Sequence, residues 1–140
     1  MNTNRKISEK LDIKVKLSTL WLVAMLTYTY GDVVTLMDPV KHGSMQLTQG
    51  FLLGASIFQT IPIAMVLLSR ILNHRANRLA NIIAGTIMTV ALVLTLFVAV
   101  PTMYYVWFSA IEIASTTIIV VYASKWSKTK DTPTQDAAAT

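Results

Sequence analysis

The chain contains no cysteine in its 140 residues. That removes disulfide staples, a dithiol redox centre and thiolate metal ligands from consideration. Charge is also scarce, at 14% of residues, where a soluble domain carries roughly a quarter. Acids are rarer than bases, with seven Asp and Glu against twelve Lys and Arg. No metal-ligand spacing, phosphate loop, nucleophile elbow or dinucleotide fingerprint is present. The sequence therefore implies no cofactor and no metal. The net charge of +5 does not point to nucleic acid, because its placement follows another logic.

What fills the chain is apolar sequence, 54% of it. Between the charged clusters lie stretches of about 20 residues, the length of helix that crosses a hydrocarbon core of roughly 30 Å. Four spans are expected, over residues 17–37, 47–68, 79–100 and 104–124. The fold class is all-α, a four-transmembrane-helix bundle. Asp38-Pro39 and Gly43-Ser44 break the chain after the first span, and Pro101 separates the third from the fourth. So short a connection makes those two spans antiparallel neighbours. The stretch TYTYGDVV offers no small-residue cleavage site, so the first span reads as a retained helix. Residues 1–15 read as a mobile basic arm, 16–126 as the membrane domain and 127–140 as a flexible tail.

Lysine and arginine set the expected orientation. Eleven of the twelve lie in the N-terminal arm, the loop between the second and third spans, or the tail, and only Lys41 lies on the other side. Both termini and the middle loop are thus expected in the cytoplasm. Trp21, Tyr122 and Trp126 fall near the expected inner interface, and Tyr104, Tyr105 and Trp107 near the outer one, as in aromatic belts. His42 and His74 fall on opposite sides and share no metal. Asn73 or Asn77 is expected to cap the third span. The three loop arginines read as topology anchors, with lipid phosphate as the other use.

Polar residues inside the spans carry the functional signal. A charged group near the bilayer centre costs about 2.5–3.5 kcal/mol by the gentler scales, so it faces a partner or a cavity. Glu112 is the outstanding case. Apart from tyrosine, the ionisable side chains nearest it in sequence are Arg78 and Lys125. Ser109, Glu112 and Thr116 share one helix face, with Tyr105 a turn away. Tyr28, Asp32 and Thr35 form a second stripe, and Gln49, Ser56, Gln59 and Thr60 a third. At about 1.5 Å per residue, Asp32 lies roughly 8 Å from the outer boundary, Glu112 roughly 13 Å and Gln59 roughly 18 Å. The stripes are expected to converge on one polar centre, with Gln59 within reach of the Glu112 carboxyl.

Lesser features are Pro62, expected to kink the second span, and Gly50-Phe-Leu-Leu-Gly54. The latter allows close approach of another helix, within the monomer or in a homodimer through the Gly50/Gly54 face.

Five stretches, LSTLW (17–21), DVVTLMDP (32–39), QLTQGFLLGAS (46–56), IPIAMVLLSRILNHRANRLANIIAG (61–85) and FSAIEI (108–113), together resemble a family of small, uncharacterised bacterial integral membrane proteins known only as a domain of unknown function. The resemblance covers roughly residues 16–126. It implies a multi-pass protein of the bacterial inner membrane and carries no activity or functional residue.

Three functions compete on the residues. The first is binding or proton-linked transport of a small lipophilic ligand. Glu112 is its proton-sensitive or cation-binding acid, Gln59, Tyr28, Tyr105 and Ser109 orient the ligand, and Asp32 lies near the mouth. The second is a cofactor-independent membrane enzyme using Asp32 and Glu112 as acid and base. The third is a structural subunit of a membrane complex, its acids serving as internal glue.

Overall fold

The computed structural model describes residues 3–44, 48–98 and 101–126. Among them all regular structure is helical: α1 (Thr3–Met37), α2 (Pro39–Ser44), α3 (Gln49–Ile71), α4 (His74–Val98) and α5 (Met103–Lys125). Four helices are long and apolar enough to cross a membrane, over Asp12–Met37, Gln49–Ile71, His74–Phe97 and Met103–Lys125. These are the four expected spans, each shifted or lengthened by a few residues. The tail from residue 127, Leu47 at the expected start of the second span and Val100 at the expected end of the third lie outside the described residues.

Two boundaries differ for local reasons. α1 begins at Thr3, so most of the segment read as a separate basic arm is its first turns; that stretch has no glycine or proline to stop a helix. After Met37 the chain makes one more short helix. The Asp38 carboxylate accepts the backbone N–H groups of Val40 (3.0 Å) and Lys41 (3.4 Å), and Pro39 occupies the first helical position, where a missing N–H costs nothing. Asp38 also accepts the Tyr104 hydroxyl at 3.1 Å, tying the end of α1 to the start of α5. Thr48 caps α3 through Phe51 N–H (3.2 Å). Of the two asparagines considered for α4, Asn73 is the cap, accepting Ala76 N–H at 3.0 Å.

α1 packs against α3 and α5, and α4 against α5 and, less extensively, α3. Each helix turns one stripe inward, spaced three or four residues apart. On α1 it is Leu17, Trp21 and Ala24; on α3 Pro62, Met65 and Ser69; on α4 Asn77, Asn81, Ala84 and Met88; on α5 Ser115, Ile119 and Ala123. These residues fill the half of the bundle nearest the α3–α4 turn. The outside is apolar: Leu26, Val33, Leu53, Leu67, Val90 and Phe97 are exposed. The inside carries many of the polar groups, an inversion of a soluble core.

The filled half is held by a polar network that the sequence reading missed. The Trp21 indole N–H donates to Asn81 Oδ1 (2.7 Å), the Ser69 hydroxyl donates to the same oxygen (3.2 Å), and Asn77 Nδ2 donates to the Ser69 carbonyl (2.6 Å). Trp21 is therefore a core residue, fully buried, and the interfacial role expected of it is corrected. Trp126 is likewise buried, its ring edge-on to His74 at 4.6 Å. The Trp21 indole N–H has a protein partner, which removes the reason for that indole to seek the wet interface. Tyr122 and Trp107 do face outward.

Several basic residues near the α3–α4 turn also have specific partners. Lys14 Nζ donates to the carbonyls of Leu72 (2.7 Å) and Arg70 (3.4 Å) at the end of α3. Arg78 donates to Ser124 O (3.1 Å) at the end of α5. Both place a cation on the carbonyl-rich, partially negative end of a helix. Arg70 donates to Ser18 Oγ (2.9 Å), whose hydroxyl in turn donates to Val66 O (2.8 Å).

Candidate functional site

Beyond Met88 and Ile119 the side chains no longer fill the bundle. A cavity of about 190 Å³ lies between α1, α3, α4 and α5. All six residues singled out from the sequence line it: Tyr28 and Asp32 from α1, Gln59 from α3, and Tyr105, Ser109 and Glu112 from α5. Sequence reasoning missed the rest of the wall. Phe58 and Phe108 add aromatic rings, Gly31 and Ala55 leave room, and α4 contributes Ala91, Leu92 and Thr95.

Each helix brings its residues there for an identifiable reason. On α1, Tyr28 and Gly31 continue the heptad-like stripe of Leu17, Trp21 and Ala24. On α3, Pro62 lacks the N–H that would bond the Phe58 carbonyl, which leaves the backbone beside Phe58 and Gln59 with one tie fewer. On α5 the inward stripe is polar from Ser109 to Thr116 and apolar only from Ile119 onward. The cavity coincides with the upper part of that stripe.

Glu112 is 3% exposed. Among the described residues its carboxyl makes no hydrogen bond; only its backbone carbonyl is engaged, accepting the Thr116 hydroxyl at 2.9 Å. The Tyr28 hydroxyl is buried and also without a partner among the described residues. Buried polar groups are almost always paired, so an unpartnered Tyr28 hydroxyl beside a buried acid whose carboxyl bonds nothing among the described residues is notable. Asp32 is exposed and lies where the cavity wall meets the outside. It lines the same cavity as Glu112. Tyr105 donates its hydroxyl to Thr95 (2.9 Å), which ties α5 to α4 across the cavity wall. Ser109 is 2% exposed.

Three expectations about the stripes need correction. The Gln59 amide does not reach Glu112; it donates to Thr29 on α1 at 3.4 Å. Gln49, Ser56 and Thr60 are exposed, and the two hydroxyls return to their own helix, Ser56 to Leu52 O and Thr60 to Ser56 O. Thr35 likewise donates to Gly31 O (2.8 Å). A hydroxyl that satisfies itself locally has no need of the bundle centre, which is why Ser56, Thr60 and Thr35 do not line the cavity while Tyr28, Tyr105 and Ser109 do. Thr116 lies just past the cavity, where it accepts the Thr89 hydroxyl at 2.7 Å.

Among the described residues the Gly50/Gly54 face packs against nothing: a Cβ added at either glycine meets no atom within 4 Å. The close approach within the monomer occurs instead at Gly85, where an added Cβ would lie 2.8 Å from Val120 Cγ2.

Chemically, the arrangement offers two carboxyls, an amide, several hydroxyls and four aromatic rings around a space able to hold about six waters at roughly 30 Å³ each, or one small molecule. No curated protein and no solved structure matches the chain. A family model covers residues 6–133, and the protein belongs to that family, DUF6326, a family of unknown function.

Proposed function

We propose that this is a multi-pass protein of the bacterial inner membrane, with both termini cytoplasmic, that binds or transports a small lipophilic ligand in the cavity at Glu112. The observation that carries the reading is Glu112, a buried residue whose carboxyl holds no hydrogen-bond partner among the described residues, in a cavity it shares with the Tyr28 hydroxyl, likewise unpartnered among them. A structural acid serving as glue would be expected to hold a partner, so the arrangement favours an external one. The membrane placement is supported by the apolar exterior and the four long apolar helices. The orientation is supported by the distribution of lysine and arginine.

In the transport version, Glu112 carries either a proton or the ligand, and the two exchange. The expected result is proton release when single-ring amines are titrated into the protein in weakly buffered detergent, and none from Glu112→Gln. Amine binding by the wild type with no proton exchange would remove the transport coupling. No binding by any such compound would remove the ligand reading.

Orientation has its own test, simplified by the absence of native cysteine. Single cysteines at Val40, 79% exposed, and at Arg75, also exposed, report the two ends of the bundle. With a membrane-impermeant maleimide, Val40→Cys should label in intact spheroplasts, and Arg75→Cys only after the membrane is opened. The reverse pattern inverts the topology.

A second reading is favoured by one observation: Asp32 and Glu112 line the same cavity. That satisfies the first geometric demand on an acid–base pair acting on one lipophilic substrate. Product formation dependent on both carboxyls would select it.

A further inference from the structure

We propose that the ligand of the cavity is a small organic cation, an ammonium group seated against the Glu112 carboxylate and the faces of the surrounding aromatic rings. This rests on the pocket being a ligand site, and it adds the chemical class.

The sign of the charge comes first. Among the described residues the lining holds two acids, Asp32 and Glu112, and no lysine, arginine or histidine. An anionic ligand would enter against both carboxyls in a poorly screened space. A neutral ligand suits only the protonated form of Glu112 and gives the carboxylate no counter-charge. A cation resolves both difficulties.

The walls narrow the class further. Tyr28, Phe58, Tyr105 and Phe108 come from three helices and all line the cavity. Ring faces attract cations, most strongly where water is excluded. An alkylated ammonium matches such walls because its charge is spread over apolar methyl groups, which also suit Ala91 and Leu92. An inorganic ion is a poorer match. Hard cations demand six or more oxygen ligands and gain little from apolar surface.

Size sets the last limit. A cavity of about 190 Å³ exceeds one of roughly 150 Å³ known to hold benzene, yet lies well below the 300–1,000 Å³ of drug-sized sites. The ligand is thus a compact ammonium head group or a single-ring amine. Asp32, exposed at the edge of the same cavity, supplies a second negative charge on the way in.

The test compares two probes of one shape. Choline and neohexanol differ by a nitrogen cation in place of a carbon. Calorimetric titration of the full chain in detergent should show choline binding at least about tenfold more tightly. Glu112→Gln should remove about tenfold or more of the choline affinity and leave neohexanol within roughly twofold. Asp32→Asn, at an exposed position that folding tolerates, should weaken choline by a smaller factor. Equal or tighter binding of neohexanol by the wild type would overturn the cation class while leaving the cavity a ligand site. Choline binding unchanged in both variants would overturn the assignment of the charge partners. If neither probe binds at millimolar concentration, the pocket reading fails together with the proposal.

Discussion

Asn81→Leu is expected to destabilise the protein by about 2–4 kcal/mol, although it replaces an amide with an apolar side chain inside an apolar helix. On hydropathy alone the sign would be opposite, because leucine enters a membrane span more readily than a polar residue. The network reverses it. Asn81 is fully buried; its Oδ1 accepts Trp21 Nε1–H and the Ser69 hydroxyl, and its Nδ2 donates to the Asn77 carbonyl at 2.8 Å. Asn81 Nδ2 also donates to Asn77 Oδ1 at 2.5 Å, so leucine leaves the indole N–H, the Ser69 hydroxyl and the Asn77 side chain short of partners, each at about 1–3 kcal/mol. The total is reduced because interhelical bonds in membrane proteins average only about 0.6 kcal/mol when measured by double-mutant cycles. Trp21→Phe removes a donor but leaves Asn81 Oδ1 bonded to Ser69, so it should cost less. The double variant should cost less than the two single losses added together, since removing both partners spares the unpaired group. Unfolding by SDS titration, followed by circular dichroism, measures all three. A stabilising Asn81→Leu would mean that the network contributes nothing.

That network also marks where sequence reading stops. The four helices were legible because a run of apolar residues long enough to cross a bilayer permits few other structures. The cavity residues were legible for a related reason. A polar side chain in such a run is costly unless it faces a partner or a cavity, and Tyr28, Asp32, Gln59, Tyr105, Ser109 and Glu112 all line the same space. What was hidden depends on partners distant in sequence. Nothing near Trp21 announces Asn81, sixty residues on, so the indole looked like an interface anchor. Ser56 and Thr60 looked like part of a polar face because periodicity does not reveal that a hydroxyl has bonded its own helix. Lys14 and Arg78 counted equally with the other bases in the charge asymmetry, yet each is attached to the end of a particular helix. The spacing of Gly50 and Gly54 fitted a packing motif that this chain does not use within the monomer. Gly85, with no such motif around it, is where two helices come closest to excluding a side chain.

Gly85→Val is accordingly the second large effect, expected at about 2–3 kcal/mol of lost stability. Gly85 is buried in α4, facing α5. Its added Cβ would fall 2.8 Å from Val120 Cγ2, 3.5 Å from the Thr116 carbonyl and 3.7 Å from Ile119 Cγ2. The first contact is the severe one, and valine on a helix has little rotamer freedom with which to yield. Overpacking of this kind costs about 1–3 kcal/mol. For Gly85→Ala, the gain of about 1 kcal/mol in helix propensity opposes that cost, so alanine should be mild and valine severe. The cause can be isolated. Val120→Ala removes the obstructing methyls, and Gly85→Ala/Val120→Ala should be more stable than the sum of the single changes predicts. Additive losses would show that Val120 is not the obstacle. The site should feel the same strain. Pushing α5 from α4 stretches the Thr89–Thr116 hydrogen bond, 2.7 Å long and one turn from Glu112, and the Tyr105–Thr95 bond beyond it. Choline affinity should therefore fall in Gly85→Val even where the protein remains folded, because α5, which carries Glu112, Tyr105 and Phe108, is displaced from the α4 wall of the cavity.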